Sequence, residues 1–96
     1  MAKGYLIAEM TVTDPEAYVD YAKAAGDLLT AYGARTIVKP DTAIIKEGTP
    51  KARIVIFEFD SFEKTQAVWD SPEYQKAISL RIGAAEGDFI LIEGND

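Results

Sequence analysis

The segment Arg53-Ile54-Val55-Ile56-Phe57-Glu58-Phe59 has the β-branched and aromatic composition of a strand, and both of its alternating faces are largely apolar. A strand that meets water on one side alternates apolar with polar residues, so this pattern calls for cover on two sides. Gly4 to Val12 repeats the feature, with Leu6, Ala8, Met10 and Val12 on one face and Tyr5, Ile7, Glu9 and Thr11 on the other. Any fold built on these strands must supply two layers to bury them.

The helices are marked by their starts. Asp14-Pro15-Glu16 supplies an N-cap, a proline whose missing N–H is harmless there, and an acid at the positive helix end. Tyr18, Tyr21, Ala22, Ala25, Leu28, Leu29 and Tyr32 follow at three- and four-residue spacing, and Gly33 is the expected C′ residue. Gly26, inside this helix, costs about 1 kcal/mol relative to Ala and is read as a close backbone approach. Asp60 followed by Glu63 has the form of a capping box, opening a helix with Phe62, Gln66 and Trp69 along one stripe. Ser71-Pro72-Glu73 is a second start signal, so this helix breaks near Asp70 and restarts, carrying Tyr74, Ala77, Ile78 and Arg81 to about Ala84.

Arg35 to Lys39 reads as a strand that Pro40-Asp41 interrupts and Ala43 to Lys46 resumes, bent or bulged, before Glu47-Gly48-Thr49-Pro50 turns the chain. Asp88 to Glu93 is the last strand. The order βαββαβ matches the ferredoxin-like split βαβ arrangement, an α+β protomer with a four-stranded antiparallel sheet and two helices on one face. Residues 1–96 are expected to form one domain.

Two helices on one side leave the other side open. With Leu6, Ala8, Met10, Val55, Phe57 and Phe59 under the helices, the opposite face displays Tyr5, Ile7, Ile37, Ile54 and Ile56, and is expected to include Phe89 and Leu91. About six such side chains, at roughly 1.5–3 kcal/mol each when fully buried, drive association on the order of 10 kcal/mol before its costs. A second identical sheet is the natural cover, so the expected partner is the chain itself: a homodimer through the sheet face, closing a dimeric α/β barrel.

The formal charge of −6 repels phosphate backbones, which argues against nucleic acid as a partner. No window has the apolar length of a membrane span, so no membrane partner is expected and a cytoplasmic location is. Cysteine and histidine are both missing, which removes thiolate catalysis, zinc–thiolate sites and the usual general base near neutral pH. No calcium loop or Gly-rich phosphate loop is present, and neither a metal nor a cofactor is expected.

Glu9, Glu58 and Arg35 fall on the same open face among apolar neighbours, where charges pair, line a wet cavity or shift in pKa. A structural ion pair, a pocket whose ligand meets Arg35 and a carboxylate, and simple exposure at strand ends are all open. Glu58, in the most apolar strand, is the candidate catalytic acid or base. Tyr18, Tyr21 and Tyr32 read as core residues whose hydroxyls reach the edge. Trp69 serves packing or stacking; Tyr74 and Arg81, seven residues apart, either cover the barrel mouth or dock their helix.

From Arg53 to Tyr74 the chain reads R-I-V-I-F-E-F-D-S-F-E-K-T-Q-A-V-W-D-S-P-E-Y, with Arg81 downstream, Tyr5 and D-P-E-x-Y near the start, and Gly33-x-Arg35. This resembles the domain of unknown function 1330 family of the dimeric α/β-barrel superfamily. The resemblance implies a ferredoxin-like protomer and a homodimer, and carries no general activity. The functional expectation is a small organic ligand in a pocket on the inner sheet face, between each sheet and its neighbouring helices or partner strands, with Tyr5, Glu9, Arg35, Glu58, Trp69, Tyr74 and Arg81 as candidate ligand-binding residues. The alternatives are a cofactor-independent enzyme of monooxygenase or isomerase type using a buried carboxylate, and a structural dimer module without ligand.

Overall fold

The structure is a computed structural model that describes residues 2–95. Its elements run β1 (Gly4–Val12), α1 (Pro15–Ala31), β2 (Arg35–Thr36), β3 (Arg53–Phe59), α2 (Phe62–Asp70), α3 (Pro72–Arg81) and β4 (Ala85–Glu93). The strands form one antiparallel sheet in the order β2-β3-β1-β4, the ferredoxin-like arrangement read from the sequence.

β1 lies between β3 and β4, and its register fixes the two faces. Leu6 pairs with Phe57 and Leu91, and Ala8 with Val55 and Phe89, so these residues lie together under the helices. Tyr5 pairs with Glu58 and Ile92, and Ile7 with Ile56 and Ile90, on the face that no helix covers. Phe89 and Leu91, expected on the open face, are therefore on the helix side. Ile90 and Ile92 replace them, because β4 begins at Ala85 and its pairing with β1 sets the opposite parity.

The core joins Leu6 and Phe59 of the sheet to Tyr21, Ala25 and Leu29 of α1, Val68 of α2 and Tyr74 of α3. The Asp14 carboxylate caps α1 by accepting from the Ala17 N–H at 3.2 Å. Gly33, at φ +85°, ends that helix where a side chain would be strained. Ser71 both closes α2 and caps α3, its hydroxyl accepting from the Tyr74 N–H at 3.1 Å, so the break expected near Asp70 is present.

Other boundaries differ from expectation for physical reasons. Ser61 caps α2 in place of Asp60, accepting from the Lys64 N–H at 3.2 Å, while the Asp60 carboxylate is engaged by Arg35. The buried stripe of α2 is Thr65 and Val68, with Gln66 exposed. α3 ends at Arg81 and not near Ala84, since Gly83 at φ +85° turns the chain into β4.

The largest difference is the second strand. β2 holds two residues, the Ile37 N–H adds one bond to the Ile56 carbonyl at 3.1 Å, and pairing then stops short of Pro40. Residues 43–46 find no strand partner among the described residues, because β3 begins only at Arg53, and they lie in a loop with Ile44 79% exposed.

α2 packs very closely on the start of β1. A Cβ on Gly4 would stand 2.8 Å from Phe62 Cα and would also overlap the Thr65 hydroxyl. Gly4→Ala is expected to destabilise the protein by about 1–3 kcal/mol. A shift of the urea midpoint to lower concentration checks this; an unchanged midpoint contradicts the close packing.

Candidate functional site

The seven residues singled out in the sequence fall into two groups on opposite sides of the sheet. On the open face, alternation of β1 and β3 brings Tyr5 and Glu58 together as a cross-strand pair, and β2 sets Arg35 opposite Glu58. Arg35 Nη2 donates to Glu58 Oε1 at 2.8 Å, and the Tyr5 hydroxyl donates to Glu58 Oε2 at 3.1 Å. Lys3 Nζ adds a longer contact to Oε1 at 3.4 Å, and Arg35 Nη1 reaches Asp60 at 3.1 Å. Glu9 stands farther along β1, between Ile54 and Asp88, and makes no side-chain hydrogen bond to Arg35 or Tyr5 among the described residues.

This network decides the protonation of Glu58. Arg35 holds the carboxyl below the usual carboxylate range, outweighing the opposing effect of burial, with Tyr5 and Lys3 acting in the same direction as Arg35. The hydrogen bond to Glu58 in turn raises the Tyr5 phenol. A carboxylate so paired is a weak base, and its geometry is that of the ion pair.

Trp69, Tyr74 and Arg81 lie on the other side, among the helices. The Trp69 ring is 5.0 Å from Tyr74 and 5.6 Å from Phe89, centroid to centroid. The Arg81 guanidinium sits 3.9 Å over the Phe89 ring, and its Nη1 donates to the Tyr21 hydroxyl at 3.3 Å. The Tyr21 and Tyr74 hydroxyls are 2.9 Å apart, and burial pushes the Tyr74 phenol far up, so it stays a neutral hydrogen-bonding group. Tyr74 and Arg81 dock α3, with Trp69 of α2 against Tyr74, and Tyr74 also lines the cavity on this side; none of the three shares a site with Glu58.

The same side holds a cavity of which only Tyr74 was singled out in the sequence as a candidate ligand-binding residue. α1 packs chiefly against α3, and α2 occupies the sheet, which leaves a cavity of about 200 Å³ between α1 and strands β1 and β3. Met10, Tyr18, Tyr21, Arg53, Phe57 and Phe89 are among its walls, and Gly26 lies in its roof. A Cβ built on Gly26 meets nothing within 4 Å, so this glycine marks open space and not the close approach expected of it. Arg53 was legible in principle. It shares the strand parity of Val55, Phe57 and Phe59, an arginine on a core-facing row.

Arg53 Nη1 is held by Asp41 at 2.8 and 3.0 Å, while its buried Nε has no hydrogen-bond partner. Asp41 belongs to the long loop after β2, adopts φ +62°, and follows Pro40, itself a wall of the cavity. Among the described residues, no cluster of three acidic side chains is arranged to hold a metal ion.

The Glu58 network gives a pH dependence with a definite sign. Because its folded pKa is depressed, the network's stabilisation is present above the unfolded value of about 4.3 and is lost as pH falls through the folded value. Glu58→Gln is expected to lower the melting temperature at neutral pH, with the difference from wild type shrinking steadily below about pH 4. A difference that is constant with pH contradicts the ion pair.

A crystal structure of a protein of unknown function from Rhodopseudomonas palustris aligns over 99% of this chain and 84% of its own, at TM-score 0.76 and 15% identity. A dimeric ferredoxin-like protein of unknown function from Thermobifida fusca aligns over 96% of this chain and 91% of its own, at TM-score 0.62 and 14% identity. SnoaB, a cofactor-independent oxygenase from Streptomyces nogalater, aligns over 100% of this chain and 96% of its own, at TM-score 0.67 and 8% identity. At these identities the likeness is one of fold. No curated protein matches the chain significantly. The family model described as Domain of unknown function (DUF1330) matches residues 3–95, and the chain belongs to that family.

Proposed function

We propose that the protein is a homodimer closed through its open sheet face, each protomer holding one small, mostly apolar organic molecule between α1 and the sheet. The cavity is the observation that carries this reading. Interiors are normally packed without voids of this size, and here the walls are largely apolar with a few polar groups, the usual composition of a ligand site. Gly26 adds to it, since a helix interior favours Ala by about 1 kcal/mol, and the space beneath would accept that side chain. The expected site on the inner sheet face thus gives way, in this proposal, to one on the helix side.

The dimer rests on the open face. Ile37, Ile90 and Ile92 are 47%, 42% and 45% exposed, and Ile7 and Ile56 form the centre of the same band. Structural neighbours described as dimeric share the fold. The Arg35–Glu58 pair borders the band, which suits a role in orienting two sheets better than one in proton transfer. An enzyme driven by Glu58 is less favoured, because that carboxylate is paired and the sheet separates it from the cavity.

Native mass spectrometry of the protein purified from its own host is expected to give a dimer carrying a bound small molecule. Gly26→Leu, which fills the cavity, keeps the dimer and loses the added mass. A dimer without any retained molecule contradicts the binding reading. Ile7→Lys, which places a charge at the centre of the band, is expected to give a folded monomer by sedimentation equilibrium; a persisting dimer contradicts association through this face.

A further inference from the structure

The polar end of the cavity limits what it can hold. Its walls include no carboxylate, five aromatic rings, and one cation, Arg53. Arginine is an expensive residue to place on a core-facing strand row, and a buried N–H without an acceptor loses a hydrogen bond that water would supply. Asp41 satisfies Nη1 from the solvent side and the Tyr18 hydroxyl helps to hold the charged form, but the buried Nε itself makes no hydrogen bond. The Nε edge of the planar fork matches the spacing of a carboxylate, which Lys could not reproduce.

Size narrows the rest of the ligand. An apolar cavity of roughly 150 Å³ accommodates benzene, so about 200 Å³, open at one end, suits one ring and a small substituent. Aromatic walls from Tyr18, Tyr21 and Phe57 favour a planar, unsaturated body over an aliphatic one.

Resting on the reading that this cavity holds a small organic molecule, we propose that its ligand is a single-ring aromatic carboxylate, with the ring against Tyr18, Tyr21 and Phe57 and the carboxylate on the Nε edge of Arg53. Asp41 then competes for the same guanidinium. The loop carrying Pro40 and Asp41 stands over the charged end of the site as part of its wall.

Isothermal titration calorimetry with benzoate, and with benzyl alcohol as the uncharged counterpart, tests the assignment. Wild type is expected to bind one benzoate per protomer, at least about tenfold tighter than benzyl alcohol. Arg53→Gln should remove that preference by weakening benzoate at least about tenfold more than benzyl alcohol. Asp41→Asn, which removes the competing carboxylate and leaves Arg53 in place, should tighten benzoate severalfold, and serves if Arg53→Gln does not fold. Gly26→Leu should abolish both. Equal binding of the two probes, unaffected by Arg53→Gln or Asp41→Asn, overturns the acid assignment while sparing the cavity as a binding site. Failure of wild type to bind either probe overturns both.

Discussion

The structure depends on one imbalance: a sheet with two apolar faces and helices enough for one. β1 is central, pairs along most of its length with β3 and β4, and sends Leu6, Ala8 and Met10 to one side and Tyr5, Ile7 and Glu9 to the other. The helix side becomes the core of the protomer. The open side becomes an isoleucine band bordered by a charged row, and burying its exposed isoleucines would recover apolar area that the protomer alone leaves in water.

The same register separates two kinds of polar chemistry. On the open side, Arg35, Tyr5 and Lys3 surround Glu58 and keep it ionised, so its charge contributes to cohesion at neutral pH. On the helix side, two arginines reach inward. Arg81 is used up by the Phe89 ring and the Tyr21 hydroxyl, while Arg53 keeps one buried donor beside a void. α1 leaves this void by leaning on α3, and Gly26 keeps it from being filled from above.

Much of the fold was legible in the sequence because it rests on local rules. Asp14-Pro15 and Ser71-Pro72 mark helix starts that the structure places where capping chemistry puts them, and Gly33 ends α1 with positive φ. The faces of β1 and β3 followed from alternation alone. What failed depended on partners distant in the chain. Phe89 and Leu91 could be assigned a face only from the pairing of β4 with β1, and residues 43–46 look like a strand yet find no neighbour to pair with. The joining of Arg35 to Glu58 was among the readings open from sequence, since both were placed on one face. The separation of Trp69, Tyr74 and Arg81 from that pair was implicit as well, since both helices were placed on the face opposite Glu58 and Arg35. The cavity was the least visible feature: Gly26 has the same appearance in sequence whether its backbone touches a neighbour or faces empty space.

The central claim is that the isoleucine band is covered by a second copy of itself. The most direct measurement is a filtered NMR experiment on protein mixed from labelled and unlabelled chains, which detects only contacts between methyl groups of different copies. Burial of one band against another gives cross-peaks from the Ile7, Ile37, Ile56 and Ile90 methyls. Cross-peaks confined to Ile44 or Leu80, or none at all with a diffusion coefficient of a single chain, contradict it.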